Sequence, residues 1–182
     1  MNMWKIFTVL ARITSLLPLF LFHFFWRCLD IFDGKFGAVA RYILIAGRLK
    51  KCGTNVYIGP FVSIESVRNL SLGNNVSIHH QCTLICLGGI DIGDNVAIAH
   101  ASSLISTNHT WNDNNLPIKY NPVVCDNLEI HDDVWIGCGV RILAGVKIPK
   151  RCVVAAGAVV TKSLSDSGAL YGGVPVKKIR DI

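Results

Sequence analysis

Branched aliphatic residues recur at every sixth position from Ile130 to Val160: Ile130, Ile136, Ile142, Ile148, Val154 and Val160. Neither the 3.6-residue period of a helix nor the 2-residue period of a strand gives that spacing. A sixfold period suits a solenoid, in which each turn of chain sends its aliphatic side chains into a shared axial core. The column begins earlier, at Ile58, Ile64 and Leu70, and resumes after a two-residue slip at Leu72, Ile78, Leu84 and Ile90. A second slip leads to Ile92, Ile98 and Leu104. Between hexads stand Gly73-Asn74-Asn75 and Gly93-Asp94-Asn95, residues suited to turns that need positive φ. Three hexads make one triangular coil. The sequence therefore predicts an all-β fold, a left-handed parallel β-helix over residues 52–162.

Residues 1–51 are a different material. Between Arg12 and Arg27 lie fourteen uncharged residues rich in Leu and Phe, interrupted by Pro18. That run is shorter than the roughly 20 residues of a spanning helix, and Pro18 breaks it. A signal peptide fits poorly, because Ala38-Val39-Ala40 lies well beyond the apolar run. The expected structure is one or two helices in a membrane interface, with Trp4, Trp26 and the cations at its polar edge. The alternative is that these helices pack on the solenoid or on a neighbouring subunit.

Charge supports a distinct role for this segment. The chain has a formal net charge of +6. Residues 1–52 hold eight Lys or Arg against Asp30 and Asp33, whereas the rest carries ten of each sign. No nucleic-acid-binding motif accompanies the basic surplus. Seven cysteines without a CxxC pair read as small core hydrophobes in a reducing compartment.

The register lapses over residues 106–128, which hold Asn108-His109-Thr110-Trp111-Asn112-Asp113 with Pro117 and Pro122. Loops this long in compact domains are usually functional. The loop offers His109 as a base, since a neutral imidazole near pH 7 suits proton abstraction from a hydroxyl; the alternative is an exposed loop histidine. Thr107, Asn108 and Asn112 are polar neighbours able to fix its tautomer. His80 and His100 fall at equivalent places on successive coils, and His79 and His131 lie on the same solenoid. Stacked imidazoles can bind zinc, although interfacial or substrate-contacting roles are commoner. Residues 163–182 form a tail, Tyr171-Gly172-Gly173-Val174-Pro175 followed by a basic end, that caps the last coil.

Four motifs in order carry a family resemblance: Asp132–Gly137, Ile142–Ile148, Ala155–Lys162 and Gly172–Pro175. From Cys52 to Arg180 the chain resembles the hexapeptide-repeat acyltransferases, in the branch that holds galactoside and maltose acetyltransferases and surface-polysaccharide O-acetyltransferases. The resemblance implies a homotrimer with acetyl-CoA as acyl donor between two columns and no metal. It implies His109 as general base, Asn108 and Gln81 toward the acceptor, and coenzyme contacts from Cys138, Ala156, Thr161, Lys162, Lys177 and Arg180. Trp135 would wall the thioester pocket or serve the coil structurally. Three positions depart from the family pattern. Cys138 replaces a small polar residue, Val176 the usual alanine after the proline, and Gln81 an acceptor-binding asparagine. A carboxylate that orients His109 is not identifiable; Asp113 and Glu129 are the nearest guesses.

The expected activity is acetyl transfer to a sugar hydroxyl of a surface polysaccharide or its lipid-linked precursor, in the cytoplasm on the inner face of the membrane. Two rivals keep the fold: a zinc hydratase of the carbonic-anhydrase type using His80, His100 and His109, and a non-catalytic scaffold of a polysaccharide-synthesis complex.

Overall fold

The structure, a computed structural model, describes residues 3–182, with side chains from Ile6 onward. It is the left-handed parallel β-helix, preceded by helices and interrupted by one projecting loop. Each coil lays one short strand on each of three faces. Face A takes Lys51–Cys52, Leu70–Leu72, Ile90–Ile92, Leu128–Ile130 and Lys147–Ile148. Face B takes Tyr57–Ile58, Ser77–Ile78, Ala97–Ile98, Trp135–Ile136 and Val153–Val154, then Ala169–Gly172 and the antiparallel Lys177–Asp181. Face C takes Ser63–Glu65, Thr83–Ile85, Ser103–Ile105, Arg141–Ile142 and Val159–Val160.

The six-residue period becomes three vertical stacks. Face A stacks Cys52, Leu72, Ile92, Ile130 and Ile148 in register. Face B stacks Ile58, Ile78, Ile98, Ile136, Val154 and Tyr171. Face C stacks Ile64, Leu84, Leu104, Ile142 and Val160. All are buried except Cys52 and Ile64 on the first coil, which are half-buried. Each fully buried aliphatic side chain contributes about 1.5–3 kcal/mol.

Both slips have one physical origin. Leu70 and Leu72 point inward from a single three-residue strand, as do Ile90 and Ile92. The two additional residues per coil are taken up at the corner between faces C and A, where Val67–Asn69 forms a 3-10 turn. The loop leaves from this same corner.

The turn between faces A and B carries positive φ at Asn55, Asn75 and Asn95. Their amides form a ladder, with Asn55 Nδ2 donating to Asn75 Oδ1 (3.0 Å) and Asn75 Nδ2 to Asn95 Oδ1 (2.9 Å). Gly73 and Gly93, by contrast, are not in the left-handed region. They are needed for space, because a Cβ on Gly73 would lie 2.6 Å from the Gly93 carbonyl carbon.

Three helices precede the solenoid: α1 (Met3–Thr14), α2 (Leu19–Cys28) and α3 (Gly34–Ala46). Pro18 separates α1 from α2. Their inner side closes the open end of the first coil. Trp26 is buried and its indole N–H donates to the Val62 carbonyl at 3.0 Å. Trp26 is therefore not at a membrane edge as expected; it bolts the helices to the coil. The side chain of Trp4 lies outside the described residues. Arg41 is 1% exposed, and its Nε donates to the Ile58 carbonyl at 2.7 Å. Its Nη1 donates to the carbonyls of Leu29 and Phe32 at 2.7 and 3.1 Å. Arg48 donates to the carbonyls of Thr14 and Leu17 and lies 4.6 Å from the Phe22 ring centre. Two of the eight N-terminal cations thus serve the fold. The outer side keeps Val9, Ile13, Leu16, Leu19, Phe20, Phe24 and Phe36 exposed beside exposed Arg12, Arg27 and Lys35. No helix among the described residues is long and apolar enough to cross a membrane.

Cys82, Cys86 and Cys152 are core residues, whereas Cys28 and Cys125 are exposed. Burial pushes the Cys86 thiol up to about 12, with the Glu65 carboxylate adding to the rise. A disulfide reagent at pH 8 is expected to label Cys28 and Cys125 in the native protein and to reach the three core thiols only on unfolding; early labelling of Cys86 would contradict its burial. Arg41→Ala should cost about 2–4 kcal/mol in urea unfolding, because three carbonyls lose a charged donor.

Candidate functional site

Backbone bonds between coils align one column along the corner between faces B and C. The amides of Gln81, Ala101, Gly139 and Gly157 donate to the carbonyls of Pro60, His80, His100 and Cys138 in turn. Pro60, His80, His100, Cys138 and Ala156 therefore occupy one position on five successive coils. The next position holds Phe61, Gln81, Ala101, Gly139 and Gly157. Phe61, Gln81 and Ala101 have positive φ, so the chain bends sharply here and turns the neighbouring side chains outward.

The corner divides into two halves along the axis. On the second and third coils it carries imidazoles. The His80 and His100 rings stack with centres 5.0 Å apart and planes 6° apart, and His79 lies beside the Tyr57 ring at 5.6 Å. Burial, then the neighbouring His80 and His100, lowers the pKa of His79. On the fourth and fifth coils the same positions shrink to Gly137, Cys138, Gly139, Ala155, Ala156 and Gly157. Arg141 anchors the boundary, with Nη1 donating to the carbonyls of Ala101 (2.8 Å) and Gly139 (2.9 Å). Trp135 is 55% exposed on face B, between Ala97 and Val153 in the adjacent strands.

His109 lies elsewhere. Strand Thr107–His109 pairs antiparallel with Val123–Cys125, and His109 faces Val123 in that register. The base of this hairpin is clamped at the corner between faces C and A, where Gly145 N donates to Asp126 O (3.4 Å) and Gly88 N to Ser106 Oγ (2.9 Å). Beyond it residues 111–120 are all exposed, with Trp111, Ile118 and Tyr120 presenting apolar surface. Asn108 and His109 are exposed on this arm. Neither carboxylate guessed as an orienting partner is free. Asp113 Oδ1 accepts from Asn115 N, and Glu129 pairs with Lys147 at 3.0 Å on face A.

The tip depends on a residue that the sequence did not single out. Asn121 is 4% exposed; its Oδ1 accepts from Asp113 N (3.0 Å), and its Nδ2 donates to the carbonyls of Asp113, Leu116 and Pro117 (each 3.3 Å). One side chain replaces the core that the arm lacks.

At the C-terminal end the tail crosses the last coil, with Val159 N donating to Gly173 O and Val176 N to Val159 O. Lys178 is held by Asp166 (2.8 Å) and Asp181 (2.7 Å), and these carboxylates raise its pKa. Lys162, Lys177 and Arg180 are exposed and make no ion pair among the described residues. Within one chain, then, Gln81, Cys138 and Ala156 share a corner; Thr161 and Lys162 follow the last strand of face C, and Lys177 and Arg180 lie on the antiparallel end strand of face B. His109 and Asn108 lie across face C from the Gln81 corner, whereas Thr161 and Lys162 follow face C at the corner from which the arm leaves, since the next residue, Ser163, bonds to Gly145 and Gly145 to Asp126. No group of three or more His, Cys, Asp or Glu suited to a metal ion is gathered among the described residues.

The fold is a three-faced solenoid with a six-residue period. Residues 127–162 match the family described as "Bacterial transferase hexapeptide (six repeats)". Its structural neighbours include an N-acyltransferase and acetyltransferases. One from Vibrio cholerae, solved with acetyl coenzyme A, superposes with a TM-score of 0.76 at 26% identity, over 86% of this chain and 82% of that one. A galactoside acetyltransferase in complex with coenzyme A gives 0.76 at 28% identity, over 86% and 76%. A putative acetyltransferase of Schizosaccharomyces pombe is 49% identical over 55 residues, 30% of this chain and 26% of that protein. The chain spans about a quarter of the length of the curated relatives it matches.

Asn121→Ala should loosen the arm alone. Limited proteolysis within residues 110–122 is expected to accelerate at least about tenfold, while the global unfolding midpoint barely moves. Equal loss of global stability would place Asn121 in the solenoid's cooperative unit instead.

Proposed function

We propose that this protein is an acetyl-CoA-dependent O-acetyltransferase that works as a homotrimer on a sugar hydroxyl of a membrane-associated glycan or its lipid-linked precursor. The observation that carries the reading is the division of labour between two corners of one coil. Thr83, Ile85, Ser103 and Ile105 make the outward surface of face C uncharged on the second and third coils, the kind of surface that packs about a three-fold axis. With face C turned to such an axis, the corner that bears His109 in one protomer abuts the corner that bears Gln81, Cys138 and Ala156 in the next. The exposed apolar arm then has a neighbour to cover it.

The residues present fit the coenzyme. The small-residue half of the corner leaves its backbone open to a pantetheine arm, walled by Trp135. Lys162, next to Thr161, and Lys177 and Arg180 on the end strand are exposed cations without an ion pair among the described residues, suited to phosphates. Acetyl-CoA supplies a thioester-activated acetyl group. His109 takes the proton of the acceptor hydroxyl, held by Gln81 and Asn108, as its oxygen attacks the thioester carbonyl. The new C–O bond replaces the C–S bond, and His109 returns the proton to the departing thiol. No covalent acyl-enzyme is needed. Solved relatives include a galactoside acetyltransferase with coenzyme A, which supports a sugar acceptor here.

The helical cap supports membrane attachment. Its exposed Leu, Ile and Phe side chains and neighbouring cations suit an anionic bilayer surface on the cytoplasmic side.

His109→Ala should lower kcat by about 10²–10⁴-fold while leaving coenzyme binding intact. The latter is read as stabilisation of about 2.7 kcal/mol at a hundredfold excess over Kd. Full activity in cells with this variant would favour a scaffold. A triple variant, Leu16→Ser, Phe20→Ser and Phe24→Ser, should reduce sedimentation with anionic vesicles without unfolding the solenoid. Undiminished sedimentation would refute the docking surface.

A further inference from the structure

The imidazole half of the corner has a charge environment that bears on the acceptor itself. His79, His80 and His100 sit on two adjacent coils, with the Arg141 guanidinium anchored to the carbonyl that follows His100. The corner segments of the second, third and fourth coils, Ile78–Leu84, Ile98–Leu104 and Ile136–Ile142, contain no Asp or Glu. Carboxylates of the coils are held elsewhere: Asp91 and Glu129 project from face A, while Asp94, Asp132 and Asp133 lie at the turn that follows it. The nearest along the column are Asp30, buried beneath Phe61 and paired with Arg27, and Glu65 on the first coil. The His80 and His100 rings are parallel, with centres 5.0 Å apart.

We propose that His80, His100 and Arg141, backed by His79, form a subsite for a negatively charged oxygen group on the acceptor, so that the preferred substrate is an anionic sugar. The inference rests on the acetyltransferase reading and names its substrate class. Phosphate and carboxylate share the required chemistry: oxyanions that accept hydrogen bonds from imidazolium and guanidinium donors. Burial, then repulsion from His80 and His100, disfavours the charged form of His79. A bound oxyanion offsets that repulsion, which ties recognition to this cluster rather than to a general basic surface. Gln81, beside His80, remains available to hold a sugar hydroxyl.

The test follows the histidine ring resonances of the full-length protein by NMR at constant ionic strength, with glucose 1-phosphate, glucuronate or glucose added. Saturable shifts of His80 and His100 with an anionic sugar, absent with glucose, are expected. The phosphate and carboxylate arms tell which oxyanion is preferred. His80→Asn/His100→Asn should weaken that sugar's binding by about tenfold or more, with thermal stabilisation by acetyl-CoA retained. Equal shifts with glucose, no shifts with either anion, or unchanged affinity in the variant would overturn the subsite. Loss of acetyl-CoA stabilisation in the wild-type protein would instead strike the acetyltransferase reading and leave the anion-binding result to be judged by itself.

Discussion

Everything in this molecule depends on the parallel hydrogen-bonded contact between one coil and the next. It sets a repeat of roughly 4.8 Å along the axis, close enough that a Cβ on Gly73 would lie 2.6 Å from the Gly93 backbone and one on Gly93 would displace the Asp132 carboxylate. A residue type repeated at one coil position becomes a stack. Aliphatic residues at such positions make the core, asparagines at Asn55, Asn75 and Asn95 make an amide ladder, and histidines at His80 and His100 make parallel rings. Fold and site are therefore written in the same one-dimensional code. A column that is apolar inside and small or polar outside provides structure and, on the proposed reading, a ligand surface at once.

The three corners are not equivalent in tolerance. Between faces A and B, and between B and C, the aliphatic positions stay six residues apart in every coil, as Leu72 to Ile78 and Ile78 to Leu84 illustrate. Between faces C and A the interval is six residues from Ile142 to Ile148, eight from Leu84 to Ile92 and twenty-six from Leu104 to Ile130. Length variation at one corner leaves the register of all three faces intact, so an arm can be hung there without strain in the core. This explains why His109 is carried on a hairpin held by Asn121, whereas the opposite corner stays short and lined with backbone. The His109 hairpin and the small-residue corner stand on opposite edges of face C; on the proposed reading a second protomer brings them together.

How much of this was legible beforehand follows from where each feature gets its cause. The hexad column was readable because the core demands it at every turn, and the equivalence of His80 with His100 followed by counting. Asn75 and Asn95 were correctly read as turn residues, but Gly73 and Gly93 are glycines because of the neighbouring coil, a contact that no local turn rule contains. Packing of the N-terminal helices on the solenoid was one of two readings the sequence allowed, but the residues that fix it were opaque for a similar reason. Trp26 and Arg41 lie in an apolar stretch with no solenoid period, and their partners, the carbonyls of Val62 and Ile58, belong to another element. Asn121 is one asparagine in a polar loop, and its role needs the folded arm. Among the tail cations, it is the hairpin register, with its irregularity between Leu170 and Tyr171, that gives Lys178 to two carboxylates and leaves Lys177 and Arg180 without an ion pair among the described residues.

The axis of the solenoid also has a direction. Helices with an exposed apolar side close the first coil, the imidazoles stand on the second and third, the small residues on the fourth and fifth, and the free cations at the far end. On the proposed reading the acceptor subsite lies within about two coils, roughly 10 Å, of the membrane-facing cap, and the coenzyme approaches from the end turned toward solvent. A lipid-linked sugar whose charged linkage sits near the headgroup layer would meet His80 and His100 without leaving the surface. A soluble donor needs no such proximity. The order of features along the chain is thus the order in which two substrates, one anchored and one diffusing, would reach a common point.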